Sequence, residues 1–100
     1  MSQSELRIFK YRLDITDEQQ VRMPLDARVL SLGLDPAEAV CIWAMVNPRI
    51  ATIHNYDVRI VGTGNPFDNT VELMDFLGTV NQDSFMWHVF LDPTGYPIHD

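Results

Sequence analysis

The chain has 100 residues, 46% of them hydrophobic, and a formal net charge of −7. That is one domain with enough apolar material for a core, and no run is long and apolar enough to span a bilayer. Its 7 Lys and Arg are scattered rather than clustered, which argues against direct binding of nucleic-acid phosphates.

The apolar pattern is mostly of period two, or continuous and short, which predicts strands. Leu6, Ile8, Tyr11 and Leu13 belong to a first strand, whose alternation slips near Phe9, so a bulge is expected there. Asp14 to Glu18 reads as a turn, and Gln20 to Met23 as a short second strand ended by Pro24. Arg28 to Leu34 is a third strand, with Gly33 marking a twist or bulge. Asp35-Pro36-Ala37-Glu38 is a turn, or a single helical turn.

Ala39 to Val46 is apolar on both faces and predicts a central strand buried from two sides. Arg49 to Asn55 is expected to be a loop. Tyr56 to Val61 is a strand with Tyr56, Val58 and Ile60 on one face and Asp57, Arg59 and Val61 on the other. Gly62-Thr63-Gly64-Asn65-Pro66 breaks it. Residues 67–80 fit either a short helix capped by Asp68 or Asn69, or a loop followed by a strand through Phe76, Gly78 and Val80. The strand is preferred, because Asn81-Gln82-Asp83 then forms a hairpin connection.

Ser84 to Leu91 is the last strand. Phe85, Trp87, Val89 and Leu91 share one face, and Met86, His88 and Phe90 the other. The Pro- and Gly-punctuated segment from Asp92 is expected to be a loosely held tail, 92–100, outside a core of about 6–91. The whole predicts a single all-β, mainly antiparallel domain of about seven short strands, a small barrel or sandwich with at most one short helix.

Charge and cysteine usage narrow the function classes. All the Lys and Arg precede residue 60, whereas Asp68, Glu72, Asp75, Asp83, Asp92 and Asp100 follow it. The later part therefore permits a basic partner surface, although acids also serve solubility alone. Lone Cys41 in an apolar run reads as a buried, inert thiol. With no signal-peptide pattern at the start, a cytoplasmic location is expected.

A set of landmarks runs along the chain in order: Lys10-Tyr11-x-Leu13, Met23-Pro24-x-x-Ala27-x-x-Leu30-Ser31, Ile42-Trp43-Ala44-x-Val46-Asn47-Pro48, Val61-Gly62-Thr63-Gly64-x-Pro66, Phe76-x-Gly78-Thr79 and Trp87-His88-Val89-Phe90. Over about residues 8–90 this resembles a family of small uncharacterised proteins of bacteriophages and prophages. The chain departs from that family at Gly33-Leu34-Asp35-Pro36, where relatives carry a Gln-rich stretch, and in its tail. The resemblance implies a phage-encoded protein acting in the host cytoplasm, and it brings no catalytic residues with it.

One constellation is a candidate ligand-binding site. The Gly62-Thr63-Gly64-Asn65 turn can aim backbone N–H groups at an anion, with Arg59 and His88 nearby; the plainer reading is a tight turn beside a core histidine. His54 and His99 add no metal-ligand spacing, so no metal and no cofactor are expected. Candidate interface residues are Trp43, Tyr56 and Trp87, with the acids Asp68, Glu72 and Asp75.

Two strands apolar on both faces exceed the need of one small sheet, so a homo-oligomer, most simply a dimer, is expected. No nucleophile-and-base arrangement is legible, so the chain reads as non-enzymatic. The functional expectation is a binding module that blocks or sequesters a host protein or a small signalling molecule. A minor virion or assembly protein is the alternative, and an acidic nucleic-acid mimic a weaker one.

Overall fold

The computed structural model describes residues 5–98. Eight strands run in chain order: β1 (Arg7–Arg12), β2 (Glu18–Pro24), β3 (Arg28–Leu34), β4 (Val40–Val46), β5 (Ile53–Gly62), β6 (Asp75–Gln82), β7 (Phe85–Leu91) and β8 (Tyr96–Pro97). One 3-10 turn, Asn69–Leu73, precedes β6. All pairings are antiparallel and fall into two sheets. One has the order β1-β4-β3; the other has β2-β5-β7-β6, with the short β8 beside β5.

The all-β expectation holds, and between barrel and sandwich the chain forms a sandwich. Alternation explains the core. Val40, Ile42, Ala44 and Val46 of β4 meet Tyr56, Val58 and Ile60 of β5 and Val89 and Leu91 of β7, all buried. Each of the buried Val, Ile and Leu side chains contributes about 1.5–3 kcal/mol by leaving water. β3 lies against β6 along one side of the sandwich.

β4 is central in its sheet, as expected. Its core-facing residues are covered completely, and on the opposite face Cys41 is fully buried while Trp43 and Met45 are half-buried. Trp43 lies beside Gly33 of β3: a Cβ on Gly33 would meet the indole at 3.7 Å. That is an ordinary contact, and the pairing of β3 with β4 runs through Gly33 without a register shift, so Gly33 marks no bulge.

Several local expectations change. β1 pairs with β4 without interruption, so the slip near Phe9 is not a bulge. The register shifts fall instead between Val29 and Ser31 of β3 and between Phe76 and Gly78 of β6. The Asp35–Glu38 segment is a turn: the Asp35 carboxylate accepts from the Ala37 and Ala39 amides, both at 3.0 Å, and Lys10 Nζ lies 2.9 Å away. These donors favour the ionised form and hold Asp35 down at about 2.

Residues 53–55, read as loop, extend β5 and pair with Arg22, Met23 and Pro24. Residues 67–80 contain both proposed elements in sequence, the helical turn capped by Asp68 and then the strand. Over residues 92–98 the tail is held rather than loose. The Asp92 amide donates to Asp57 O at 2.9 Å, Tyr96 Oη donates to Asp57 Oδ1 at 3.0 Å, and Gln20 Nε2 bonds to Tyr96 Oη. Tyr96 and Pro97 then pair with Asn55 and His54.

Candidate functional site

The face of the larger sheet that points away from the core is built by simple alternation. Phe90 of β7 is opposite Arg59 of β5 and Phe76 of β6, and His88 is opposite Val61 and Thr79. Two rows, Phe76–Phe90–Arg59 and Thr79–His88–Val61, therefore cross three strands side by side.

Beyond β5 the chain turns through Gly62-Thr63-Gly64-Asn65, closed by the Asn65 amide donating to Gly62 O at 3.0 Å. Gly64 takes φ +87°, the left-handed conformation that favours glycine. Gly62 is tightly packed: an added Cβ would lie 2.8 Å from Asn65 Nδ2 and 3.2 Å from the Trp87 ring, so these side chains would have to shift.

This turn brings Thr63 Oγ1 to 2.7 Å from His88 Nε2, while Thr79 Oγ1 lies 2.9 Å from Nδ1. The half-buried imidazole is thus clamped between two hydroxyls, and its orientation is fixed. Pro66 and Phe67 follow. The Phe67 ring lies 6.3 Å from Phe90, and Phe76 lies 5.2 Å from it on another side. Phe67 and Phe76 nevertheless stay 57% and 56% exposed, so the aromatic cluster is open to solvent.

The result is a cleft of about 260 Å³ lined by Val61, Thr63, Phe67, Phe76, His88 and Phe90. A second cleft of about 460 Å³ shares its Val61–Gly62–Asn65–Phe67 wall and holds Arg59 with Asp17, Glu18 and Asp68. Arg59 Nη2 is 3.1 Å from Glu18 Oε1, so its charge is already partnered. Asp68 accepts from the Thr70 amide at 2.8 Å as the cap of the 3-10 turn, which holds its carboxyl below the usual range.

The sequence-based ligand candidates Gly62, Thr63, Gly64, Asn65 and His88 therefore meet in one cleft, and Arg59 lies in the adjoining one. They do not make an anion nest. The Thr63 and Asn65 amides donate to Met86 O and Gly62 O, and three carboxylates surround Arg59.

The interface candidates separate. Tyr56 is 4% exposed in the core, and Trp87 packs on the core, its Nε1 donating to Gln82 Oε1 at 3.0 Å. Trp43 lies on the other sheet, opposite Lys10 and Ser31. Asp68 and Glu72 sit at the 3-10 turn, and Asp75 opens β6 and lines a cleft that Arg28 also lines.

Sequence reasoning missed Phe67, Phe76, Phe90 and Thr79 as site residues. The alternation of β7, which places Phe90 on the face of His88, carries the signal for one of them. His54 is half-buried in β5, and His99 lies outside the described residues. Among the described residues no three His, Cys, Asp or Glu side chains come together as a metal-holding group. No helix among the described residues is long and apolar enough to cross a membrane.

Comparison with known proteins yields one family: residues 4–98 match the model of "Domain of unknown function (DUF7352)". The chain belongs to that family. Neither a curated protein nor a solved structure matches this DUF7352 domain.

Proposed function

We propose that this DUF7352 domain is a phage-encoded, non-enzymatic binding module that engages a protein of the bacterial host in the host cytoplasm and blocks or sequesters it. The landmark resemblance supplies the phage context. The observation that carries the binding reading is the open aromatic cleft. Phe67 and Phe76 stand more than half exposed around a fixed His88, next to Asp17, Glu18 and Asp68. An exposed apolar cluster beside carboxylates is the anatomy of a protein-contact surface, with aromatic anchors at the centre and charge at the rim.

The same geometry favours a protein with a basic, apolar surface over a small anionic signalling molecule. The one cation in the double cleft is paired with Glu18, and the Thr63 and Asn65 amides already donate to Met86 O and Gly62 O. The test is capture of host components by tagged protein, with small molecules extracted alongside proteins. Phe76→Ser loses the partner and Arg59→Glu keeps it. Loss with Arg59→Glu and retention with Phe76→Ser would establish the anionic ligand instead.

A further inference from the structure

We propose that the free edge of β1 is a dimer seam, at which two copies of this chain pair antiparallel, β1 to β1, and join their smaller sheets into one. The four outer strands of the two sheets are unequal as edges. β3 and β6 are interrupted by register shifts, and β2 is polar at its start (Glu18, Gln19, Gln20) and ends in Pro24. Such features blunt an edge against pairing. β1 has neither a register shift nor a proline: its pairing with β4 is continuous, and between its cations Arg7, Lys10 and Arg12 it presents Ile8 and Phe9, which are 60% and 41% exposed. Phe9 is the telling residue. It stands opposite Ala44, on the core-facing side of its sheet, and yet it remains open to water.

The backbone shows what the edge offers. The Leu13 amide donates to Val40 O at 2.8 Å, continuing the ladder in which Arg12 faces Cys41. Hydrogen-bonding direction alternates along an antiparallel pair, so the odd-numbered residues of β1 bond to β4. Ile8, Lys10 and Arg12 then direct their N–H and C=O groups outward, where no described strand receives them.

A two-fold axis normal to the sheet pairs residues of like parity, which leaves three central registers. With Lys10 on the axis, two ammonium groups face each other. With Ile8 on the axis, only Arg7 to Phe9 of each strand stay paired. With Phe9 on the axis, Arg7 to Tyr11 all pair. Phe9 then meets its own copy at a non-hydrogen-bonded position, where side chains approach closely. Arg7 lies against the partner's Tyr11, and Ile8 exchanges backbone bonds with the partner's Lys10. No like charges stand directly opposite in this register. Two of the three cations of β1 are already neutralised, Arg7 by Glu5 at 3.0 Å and Lys10 by Asp35 at 2.9 Å. Charge therefore permits a second copy as the occupant.

Sedimentation equilibrium over a dilution series reads the assembly directly. The full chain is expected to weigh twice its 11.5 kDa and to dissociate on dilution. Ile8→Pro removes an outward-facing N–H and spares the β4 ladder, so it should give a folded monomer with an unchanged circular-dichroism spectrum. Phe9→Cys should form an intermolecular disulfide under mild oxidation, because its copy lies directly opposite. Ile8→Cys, facing Lys10, should not. A chain that stays monomeric throughout, a dimer that survives Ile8→Pro, or equal cross-linking of the two cysteine variants would each overturn the seam.

Discussion

Gly95→Ala tests how firmly the C-terminal segment is held. A Cβ at position 95 would lie 2.7 Å from both Cε2 and Cζ of Tyr56 and 3.0 Å from His54 Cβ. Tyr56 is 4% exposed and locked in the core, so its ring has no free direction in which to move. Either the ring is forced aside, or the segment lifts and gives up the β8 pairing and the Tyr96–Asp57 hydrogen bond. Overpacking of this kind costs about 1–3 kcal/mol.

For a domain of this size each kcal/mol lowers Tm by about 4–8 °C, so thermal denaturation should show a fall of at least about 4 °C. The sign is diagnostic. On a loosely held tail, replacing glycine by alanine restricts the unfolded chain and stabilises by about 0.4–1 kcal/mol, or does nothing. An unchanged or raised Tm for Gly95→Ala would refute the docking of residues 92–98. Faster amide exchange at Asp92 in the variant would show that the segment lifts.

Other consequences follow from particular side chains. Asp35 has a folded-state pKa lowered to about 2 from 3.8, so the stability it contributes is present at neutral pH. That stability is lost as pH falls from about 4 through about 2. Asp35→Asn should flatten the acid limb of a denaturation-versus-pH curve, and an unchanged limb would remove Asp35 from the account. Cys41 is completely buried, and burial pushes its thiol up, so a thiol reagent should label it only as fast as the protein opens. Labelling at the rate of a free thiol would contradict its placement. Ile42→Ala should cost about 2–5 kcal/mol in denaturant, because the side chain is fully enclosed between the sheets. Phe76→Ser, on an exposed ring, should cost far less, and similar losses for the two would mean that the aromatic cleft is core rather than surface.

Much of this fold is legible in the residues. β4, β5 and β7 carry period-two or continuous apolar patterns, and their two faces are as alternation assigns them. Elements written in polar or punctuated sequence escape such reading. Glu18-Gln19 and His54-Asn55 lengthen β2 and β5 only because each strand offers the other its backbone. The two-residue β8 exists because Asp57 and Gln20 bind Tyr96. Division into two sheets rests on pairings between strands distant in sequence, such as β1 with β4 and β5 with β7, which local pattern does not encode.

The site was half legible for the same reason. The Gly-Thr-Gly turn and His88 are visible as sequence. The clamp formed by Thr63 and Thr79, and the meeting of Phe67, Phe76 and Phe90, arise only when β6 and β7 pair and the 67–74 segment folds back over them. Tyr56 and Trp87 illustrate the converse: an aromatic residue typical of interfaces is equally typical of cores, and only packing distinguishes the two.

Hydrogen-exchange mass spectrometry of the tagged protein, free and with its captured host partner, tests the proposed contact surface most directly. Slowed exchange should appear in residues 61–67, 76–80 and 86–90, with β4 unaffected. Protection confined to β3 and β4 around Trp43, and none across the His88 cleft, would place the contact on the other sheet and contradict the account.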